Sequence, residues 1–306
     1  MDKEIKVSWY YEQLTPDELH GHRIKKRIAE VITLFQKAEI IDTYDYGRCL
    51  FSDGLVQSTE LDEFIYHESL IHPALTLHPA PQNIFVGGGG EGAPLREILK
   101  HPSVKKIVMI EIDKEMVTLA KKYLHKWHQG AFDNPRVKVL YQDARTYLKK
   151  TDMKFDCIFL DLLDPGESGP AKSLFTAEFY AMVKDRLTDE GIVVIQAGSA
   201  NLNMIKGFSS VYRTLKHVFP LVLPYQSHIP SYVGPWAFFL ASSSELKDHL
   251  DIKLIKKRLS ERKLTSKLRY YEPVVHTALF ALPPYFKSAL KSGKIIKDNS
   301  LLLLPR

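Results

Sequence analysis

The chain has 306 residues, long for one average domain, so a large domain with an appendage is the natural expectation. With 45% hydrophobic and 25% charged residues it can bury a sizeable core, which excludes a disordered or fibrous chain. The net charge of +6 raises the question of nucleic acid. The basic residues, however, gather at 23–27 and 253–263, alternate with apolar ones at helical spacing, and read as solvated helix faces.

Cys49 and Cys157 make no metal or redox spacing and suit a reducing cytosol. No signal peptide opens the chain, and no apolar run approaches the ~20 residues a membrane span needs. A cytoplasmic protein without membrane or nucleic-acid partners is expected.

Residues 1–62 read as a helical or irregular start followed by short strands at 33–41, 48–51 and 55–58. Tyr46-Gly47 and Asp53-Gly54 punctuate them, and Asp-Gly between apolar runs signals a hairpin. From Asp62 onward strands and helices alternate. Strands are predicted at 83–86, 106–110, 137–141, 157–160 and 192–196, with helices at 96–101 and 114–128 among them. Continuous apolar strands interleaved with helices predict a parallel sheet covered on both faces. Ligands of such sheets bind at the carboxyl ends of the strands, where every polar constellation of this chain falls. His125 and His128 share a helix face but have no third ligand, and read as surface residues.

The first of these strands runs into Gly87-Gly88-Gly89-Gly90-Glu91-Gly92. Glycines there let a backbone pass close to a ligand at a helix N-terminus. Glu91 would repel a pyrophosphate, so the loop suits a nucleoside carrying a positive group better than a dinucleotide. The second strand leads to Glu111-Ile112-Asp113, about 20 positions past the loop, where a carboxylate accepts hydrogen bonds from ribose hydroxyls. The third ends Tyr141-Gln142-Asp143-Ala144, with Asp143 suited to accept from an adenine amino group. Any one of these carboxylates could simply cap the following helix. Three at successive strand ends make a nucleoside site and describe an adenosylmethionine-type fold.

The fourth strand ends Asp161-Leu162-Leu163-Asp164-Pro165-Gly166-Glu167 and continues through Ser168-Gly169-Pro170. Three carboxylates in such a loop are costly unless cations are held there. The loop has no histidine, and its acidic spacing is sparser than a hard-ion loop shows, so an organic polycation fits better. An alkylammonium has a pKa of ~10.4, so only about one molecule in a thousand is free amine at pH 7. Producing that nucleophile costs roughly 4–5 kcal/mol. A carboxylate that takes the proton, with a tyrosine hydroxyl to orient the nitrogen, is a general-base arrangement. Asp161 is the candidate base and Asp164 its anchor.

Asp62-Glu63-Phe64-Ile65-Tyr66-His67-Glu68, Gly88-Gly89-Gly90-Glu91-Gly92 and Asp161-Leu162-Leu163-Asp164-Pro165, in that order, resemble the motifs of the spermidine/spermine synthase family. The similarity runs from about residue 33 to 242, and the segment 269–283 is also similar. The resemblance implies an α/β fold, a Rossmann-like (class I methyltransferase-like) seven-stranded sheet over residues 63–306 behind a small N-terminal β-domain over 1–62. It implies assembly as a homodimer or homotetramer. It further implies decarboxylated S-adenosylmethionine as co-substrate, with no metal and no cofactor.

Matched residue by residue, the resemblance places Gly88, Gly90, Glu91, Glu111, Asp143 and Ala144 on the donor, with Gln36 and Gln57 supporting the nucleoside. Glu91 would hold the aminopropyl ammonium. Tyr66 and Asp161 would work on the attacking amine. His67, Asp164, Gln196 and Tyr232 would line the polyamine channel, and Trp9 would close it. Ordinary S-adenosylmethionine would bring a carboxylate up to Glu91, which argues against a methyltransferase.

Common spermidine synthases carry Asp at the position of Glu91 and an acidic residue after Gln-Gly on the fifth strand. This chain has Gln196-Ala197-Gly198-Ser199-Ala200 there. Both departures look like thermospermine synthases, which implies spermidine as acceptor, and thermospermine with 5′-methylthioadenosine as products. Transfer to a diamine, as in spermidine synthase, or to agmatine stays open. From different classes, an S-adenosylmethionine-dependent methyltransferase and a non-enzymatic polyamine-binding protein are the competing readings.

Overall fold

The computed structural model describes residues 8–163 and 170–301. The chain first builds a five-stranded antiparallel sheet whose strands lie in sequence order. These are β1 (Trp9–Thr15), β2 (Glu18–Ile32), β3 (Lys37–Thr43), β4 (Arg48–Ser52) and β5 (Leu55–Thr59). Between β4 and β5, Asp53 and Gly54 both take positive φ, the backbone that a tight hairpin matched to strand twist requires.

Two expectations for this region are corrected. Among the described residues the stretch 9–32 is not helical or irregular, because it forms β1 and β2. Consequently residues 23–27 lie on a strand. Arg23 stacks over the Tyr44 ring and the Arg27 guanidinium sits 3.1 Å from Glu39 Oε1. Register shifts at Ile24/Lys26 and Arg27/Ala29 interrupt the two-residue alternation of β2, so its sequence does not read as a strand. The run expected at 33–41 also splits, since β2 ends at Ile32 and residues 33–36 turn before β3.

A seven-stranded sheet follows. Its elements are α1 (Glu63–Leu77), β6 (Asn83–Gly88), α2 (Ala93–Leu99), β7 (Lys106–Glu111), α3 (Lys114–Tyr123), α4 (His125–His128), β8 (Val137–Tyr141) and α5 (Ala144–Lys150). They continue with β9 (Phe155–Asp161), α6 (Ala177–Asp185), β10 (Leu187–Ser199), α7 (Ile205–Val218), β11 (Leu221–Ile229) and β12 (Gly234–Ser242). The strand order is β11-β12-β10-β9-β6-β7-β8. Strands β6 to β10 are parallel, while β12 and β11 pair antiparallel at one edge.

The parallel strands are apolar on both sides, as a covered sheet demands. Ile84, Val86, Met109, Phe159 and Val194 pack into one core, and Phe85, Val108, Ile110, Ile158 and Val193 into the other. From β6 the chain crosses to β7 on one side, and β9 lies on the other. The carboxyl ends of β6 and β9 therefore flank the crevice of a topological switch point.

The expected helix 114–128 breaks at Leu124 into α3 and α4. His128, read as a surface residue, is buried, and its Nδ1 accepts from the Gly130 amide at 3.1 Å; His125 is exposed. Three short helices complete the described chain, α8 (Ile252–Glu261), α9 (Pro273–Leu279) and α10 (Pro284–Ala289). The lysines of α8 face solvent as expected, but its arginines do not. Arg258 donates to the Thr76 carbonyl at 2.9 Å, and Arg262, just beyond α8, donates to the His78 and Pro79 carbonyls at 2.8 and 2.9 Å. These carbonyls end α1 and lack helical partners, so the two cations satisfy them.

Glu68 of α1 fixes another remote segment. Its buried carboxylate accepts from the backbone amides of Arg269, Tyr270 and Tyr271 at 2.9, 2.9 and 2.8 Å. Among the described residues no helix is long and apolar enough to cross a membrane.

Candidate active site

The two sheets meet over the carboxyl ends of β6, β7, β8 and β9. Asp113, at the N-cap of α3, ties them: its Oδ2 accepts from Thr33 Oγ1 at 2.8 Å and from Gln36 Nε2 at 3.0 Å. Ser52 Oγ donates to Gln36 Oε1 at 2.6 Å, so Gln36 is held between β4 and α3. Trp127 adds a second tie, donating from Nε1 to Ser58 Oγ at 2.7 Å.

Between the sheets lies a cavity of about 310 Å³. Its described wall carries seven carboxylates, from Glu12, Glu18, Asp53, Glu91, Glu111, Asp143 and Asp161. No lysine, arginine or histidine is among the described residues lining it. In a chain of net charge +6 that separation is specific to the cavity.

The glycine loop forms one side. Gly88 has φ +82°, and a Cβ there would stand 2.1 Å from the Asp161 backbone oxygen, so only glycine lets β6 pass β9 this closely. The loop thereby sets Glu91 near the end of β9. Glu91 is buried, which raises its pKa, and His67 opposes that rise.

The next two strand ends add Glu111 and Asp143. Glu111 is buried at the end of β7, its Oε1 accepting from the Asp113 amide at 3.0 Å, and burial lifts its pKa to about 7. Asp143 is both a helix cap and part of the wall: Oδ1 accepts from the Thr146 amide at 2.6 Å. The capping role and the facing role thus coexist in one side chain. Gln142 and Ala144 line the same stretch, with Met116 opposite.

At the end of β9, Tyr66 Oη donates to Asp161 Oδ1 at 2.5 Å. Burial pushes the tyrosine hydroxyl well above its ordinary pKa, reinforced by the Asp161 charge, so it remains a donor. Burial also raises the Asp161 pKa, against the lowering effects of His67 and the tyrosine bond. The pair is a carboxylate primed to accept a proton and a hydroxyl that fixes its orientation. Asp164, its expected anchor, lies outside the described residues.

His67 is not in the wall. It is buried behind Glu91, with Nε2 2.5 Å from Glu91 Oε1 and Nδ1 2.8 Å from Glu63 Oε2. Burial works to lower its pKa, but the Glu91 and Glu63 carboxylates outweigh it and lift it to about 10. Behind Glu63 stands Arg96, whose Nη2 is 2.8 Å from Glu63 Oε2 and whose Nε is 2.7 Å from Glu97 Oε1. Charges therefore alternate in sign from Glu91 in the glycine loop, through His67 and Glu63 on α1, to Arg96 and Glu97 on α2.

The remaining sequence candidates divide. Gln57 and Tyr232 come together in the wall, Tyr232 Oη donating to the Gln57 carbonyl, while the Gln57 amide donates to the Leu55 carbonyl at 3.2 Å. Gln196 is buried outside the wall. It donates to the Leu162 carbonyl and accepts from Trp236 Nε1 at 3.2 Å, so it supports the residues that do face the cavity. Trp9 is exposed, stacks on Tyr11 and does not line the cavity.

Sequence reasoning missed Asp113, Glu12, Glu18, Ser231 and Trp236. Asp113 was readable as the second acidic residue after β7. The others lie on elements whose position over the crevice only the assembled sheets reveal.

Comparison with known proteins agrees with this arrangement. Residues 63–252 match the spermine/spermidine synthase domain, and residues 8–60 match the spermidine synthase tetramerisation domain. The polyamine aminopropyltransferase of Sulfurisphaera tokodaii is 41% identical over 97% of this chain and 98% of its own length. A spermidine synthase crystallised with the transition-state analogue AdoDATO superposes with a TM-score of 0.87 at 32% identity, covering 95% of this chain and 98% of that one. The spermidine synthase from Thermotoga maritima gives a TM-score of 0.83, also at 32% identity and with the same coverage. Fold, motifs and relatives coincide over nearly the whole chain: it is a Rossmann-like α/β protein that belongs to the spermine/spermidine synthase family.

Proposed function

We propose that this chain transfers the aminopropyl group of decarboxylated S-adenosylmethionine to spermidine, giving thermospermine and 5′-methylthioadenosine. The observation that carries the reading is the cavity wall: seven carboxylates and no described basic side chain, with the Tyr66–Asp161 pair within it. Such a wall suits two cationic partners and disfavours phosphates, nucleic acid and any ligand with a free carboxylate.

Glu111 and Asp143 suit the ribose hydroxyls and the adenine amino group, and Glu91 suits the aminopropyl ammonium. Asp161 takes a proton from the acceptor ammonium while the Tyr66 hydroxyl keeps the carboxylate oriented. The freed nitrogen lone pair attacks the methylene carbon bonded to the sulfonium. The C–N bond forms, the C–S bond breaks, and its electron pair neutralises the sulfur. The new secondary amine leaves as an ammonium, and the proton on Asp161 passes to solvent. No step requires a metal.

Spermidine is favoured by residues 196–200, which contribute no carboxylate to the wall, so a short diamine lacks a partner there. We also read residues 1–62 as the unit of assembly, consistent with the match to a tetramerisation domain, and 63–306 as the catalytic unit.

The test is direct. The protein is incubated with decarboxylated S-adenosylmethionine and, separately, putrescine, agmatine, cadaverine, spermidine and norspermidine, and products are separated chromatographically. Thermospermine from spermidine is expected. Absence of transfer to every amine refutes the activity, and transfer to putrescine but not spermidine refutes the acceptor.

A further inference from the structure

The turn at residues 16–17, between β1 and β2, brings a carboxylate to the cavity that neither catalytic loop supplies. Gln13, Leu14 and Glu18 from this hairpin all face the cavity.

Two acidic side chains of the hairpin reach the wall, and they are not equivalent. Glu12 is buried and its charge is spoken for: Oε1 lies 2.5 Å from His22 Nε2 and 3.3 Å from His20 Nδ1, and Oε2 accepts from the Val56 amide. Glu18 is exposed at the rim. Its Oε2 accepts from Asn203 Nδ2 at 3.2 Å, which steers the carboxylate and leaves Oε1 for a ligand. Asn203 belongs to the loop after β10, and that loop adds Asn201 and Met204 to the same wall. The bond thus joins two remote elements at one end of the cavity.

Apolar wall from Leu14, Leu55, Leu174 and Trp236 accompanies these carboxylates. Charge interspersed with hydrocarbon is the pattern of a polyamine, whose ammonium groups are separated by methylene runs.

We propose that Glu18, steered by Asn203, seats the terminal ammonium of a long acceptor and so discriminates triamines from diamines. The inference rests on the polyamine reading above. Glu18 and Asp161 line one cavity from different elements, and on this proposal the third charge of a triamine held at Asp161 pairs with Glu18, a partner that a diamine, with one ammonium fewer, does not use. The chemical class recognised is a primary alkylammonium at the end of a flexible chain, partly exposed to solvent.

The experiment compares the full-length wild type with Glu18→Gln, Glu18→Asp and Asn203→Ala, measuring kcat and KM for spermidine and putrescine. Glu18→Gln is expected to raise KM for spermidine about fivefold, the scale of one partly exposed ion pair, with kcat unchanged. Values for putrescine stay at wild-type level, Asn203→Ala moves KM for spermidine in the same direction by less, and Glu18→Asp recovers part of the loss. Equal losses with both amines, or no change with either, overturn the proposal. Should the wild type use putrescine alone, the acceptor assignment falls by itself. Glu18 is then read from the inhibition constant of spermine against putrescine, which rises about fivefold in Glu18→Gln if the seat exists and stays constant if it does not.

Discussion

His67 Nε2 stands 2.5 Å from Glu91 Oε1, and the imidazole is clamped from behind by Glu63. The ring is therefore a buried imidazolium whose charge favours the ionised form of Glu91. Without that positive charge, burial and the Asp161 carboxylate raise the Glu91 pKa unopposed. Donor affinity that depends on an ionised Glu91 is lost as pH falls through its pKa. In His67→Gln the midpoint of that loss is expected to move to higher pH. Calorimetric titration of the donor across pH 5 to 9 reads it, and an unmoved midpoint would mean that His67 only fills space.

On the proposed mechanism Asp161→Asn removes the proton acceptor but keeps the shape and the Tyr66 contact. Transfer is expected to fall by about 10²–10⁴-fold, the usual worth of a general base, with donor binding retained. Tyr66→Phe keeps the base and loses its orienting bond, so a smaller fall in kcat is expected. With Asp161 as the proposed base, kcat of the wild type is expected to decline with decreasing pH, because burial raises the Asp161 pKa and the carboxylate is protonated earlier than an exposed aspartate. Steady-state kinetics with calorimetry separates these outcomes, since equal loss of turnover and donor binding in Asp161→Asn points to a structural role.

Glu111 has the opposite relation to stability. Its ordinary pKa of 4.5 rises to about 7 in the fold, so the folded state retains its proton longer than the unfolded one. The benefit is full below 4.5 and is lost as pH rises through 7. Above that, the buried charge costs about 3 kcal/mol. Glu111→Gln is expected to raise the melting temperature of the ligand-free protein by several degrees at pH 8, and to give no gain near pH 4.5. Scanning calorimetry at the two pH values tests this, and equal shifts at both would refute the electrostatic account.

Glu68 provides a test away from the cavity. One carboxylate satisfies three backbone amides of residues 269–271, so Glu68→Ala leaves three donors unpaired. A loss of about 3–5 kcal/mol in unfolding free energy is expected. Hydrogen exchange should show faster opening of 269–271 while Asp161 and its neighbours keep their protection. Chemical denaturation gives the magnitude, and a loss below about 1 kcal/mol would place water at those amides.

Five strands of the larger sheet, β6, β7, β8, β9 and β10, were legible as continuous apolar runs punctuated by glycine or acidic residues. The antiparallel edge strands β11 and β12 were not, and seven strands were expected only from the family resemblance. The residues at the carboxyl ends of β6, β7, β8 and β9 were legible for the same reason as the strands: Glu91, Glu111, Asp143 and Asp161 sit where any doubly covered sheet opens. The hairpin of β1 and β2 was not. Its charged face is stabilised by cross-strand pairing and by Glu39 on a third strand, and two register shifts erase the alternation that local reading depends on. The burial of His67 behind Glu91 was not legible, because a motif fixes sequence neighbours, not sides. His67 follows Tyr66 on α1, yet the helix turns the phenol toward Asp161 and the imidazole toward Glu63.

The contrast between an acidic cavity and a basic exterior also shapes how substrates arrive. At distances beyond the ~8 Å over which physiological salt screens charge, a cation meets little field from either. Closer in, it meets a molecule whose net charge is +6 even with the seven cavity carboxylates counted, so what lies outside the cavity is more basic still. Salt should then act on capture and retention in opposite directions, hastening entry by screening the exterior while loosening the grip inside. Stopped-flow association at rising ionic strength would show a faster on-rate beside a disproportionately faster off-rate, the behaviour of a trap with a guarded entrance.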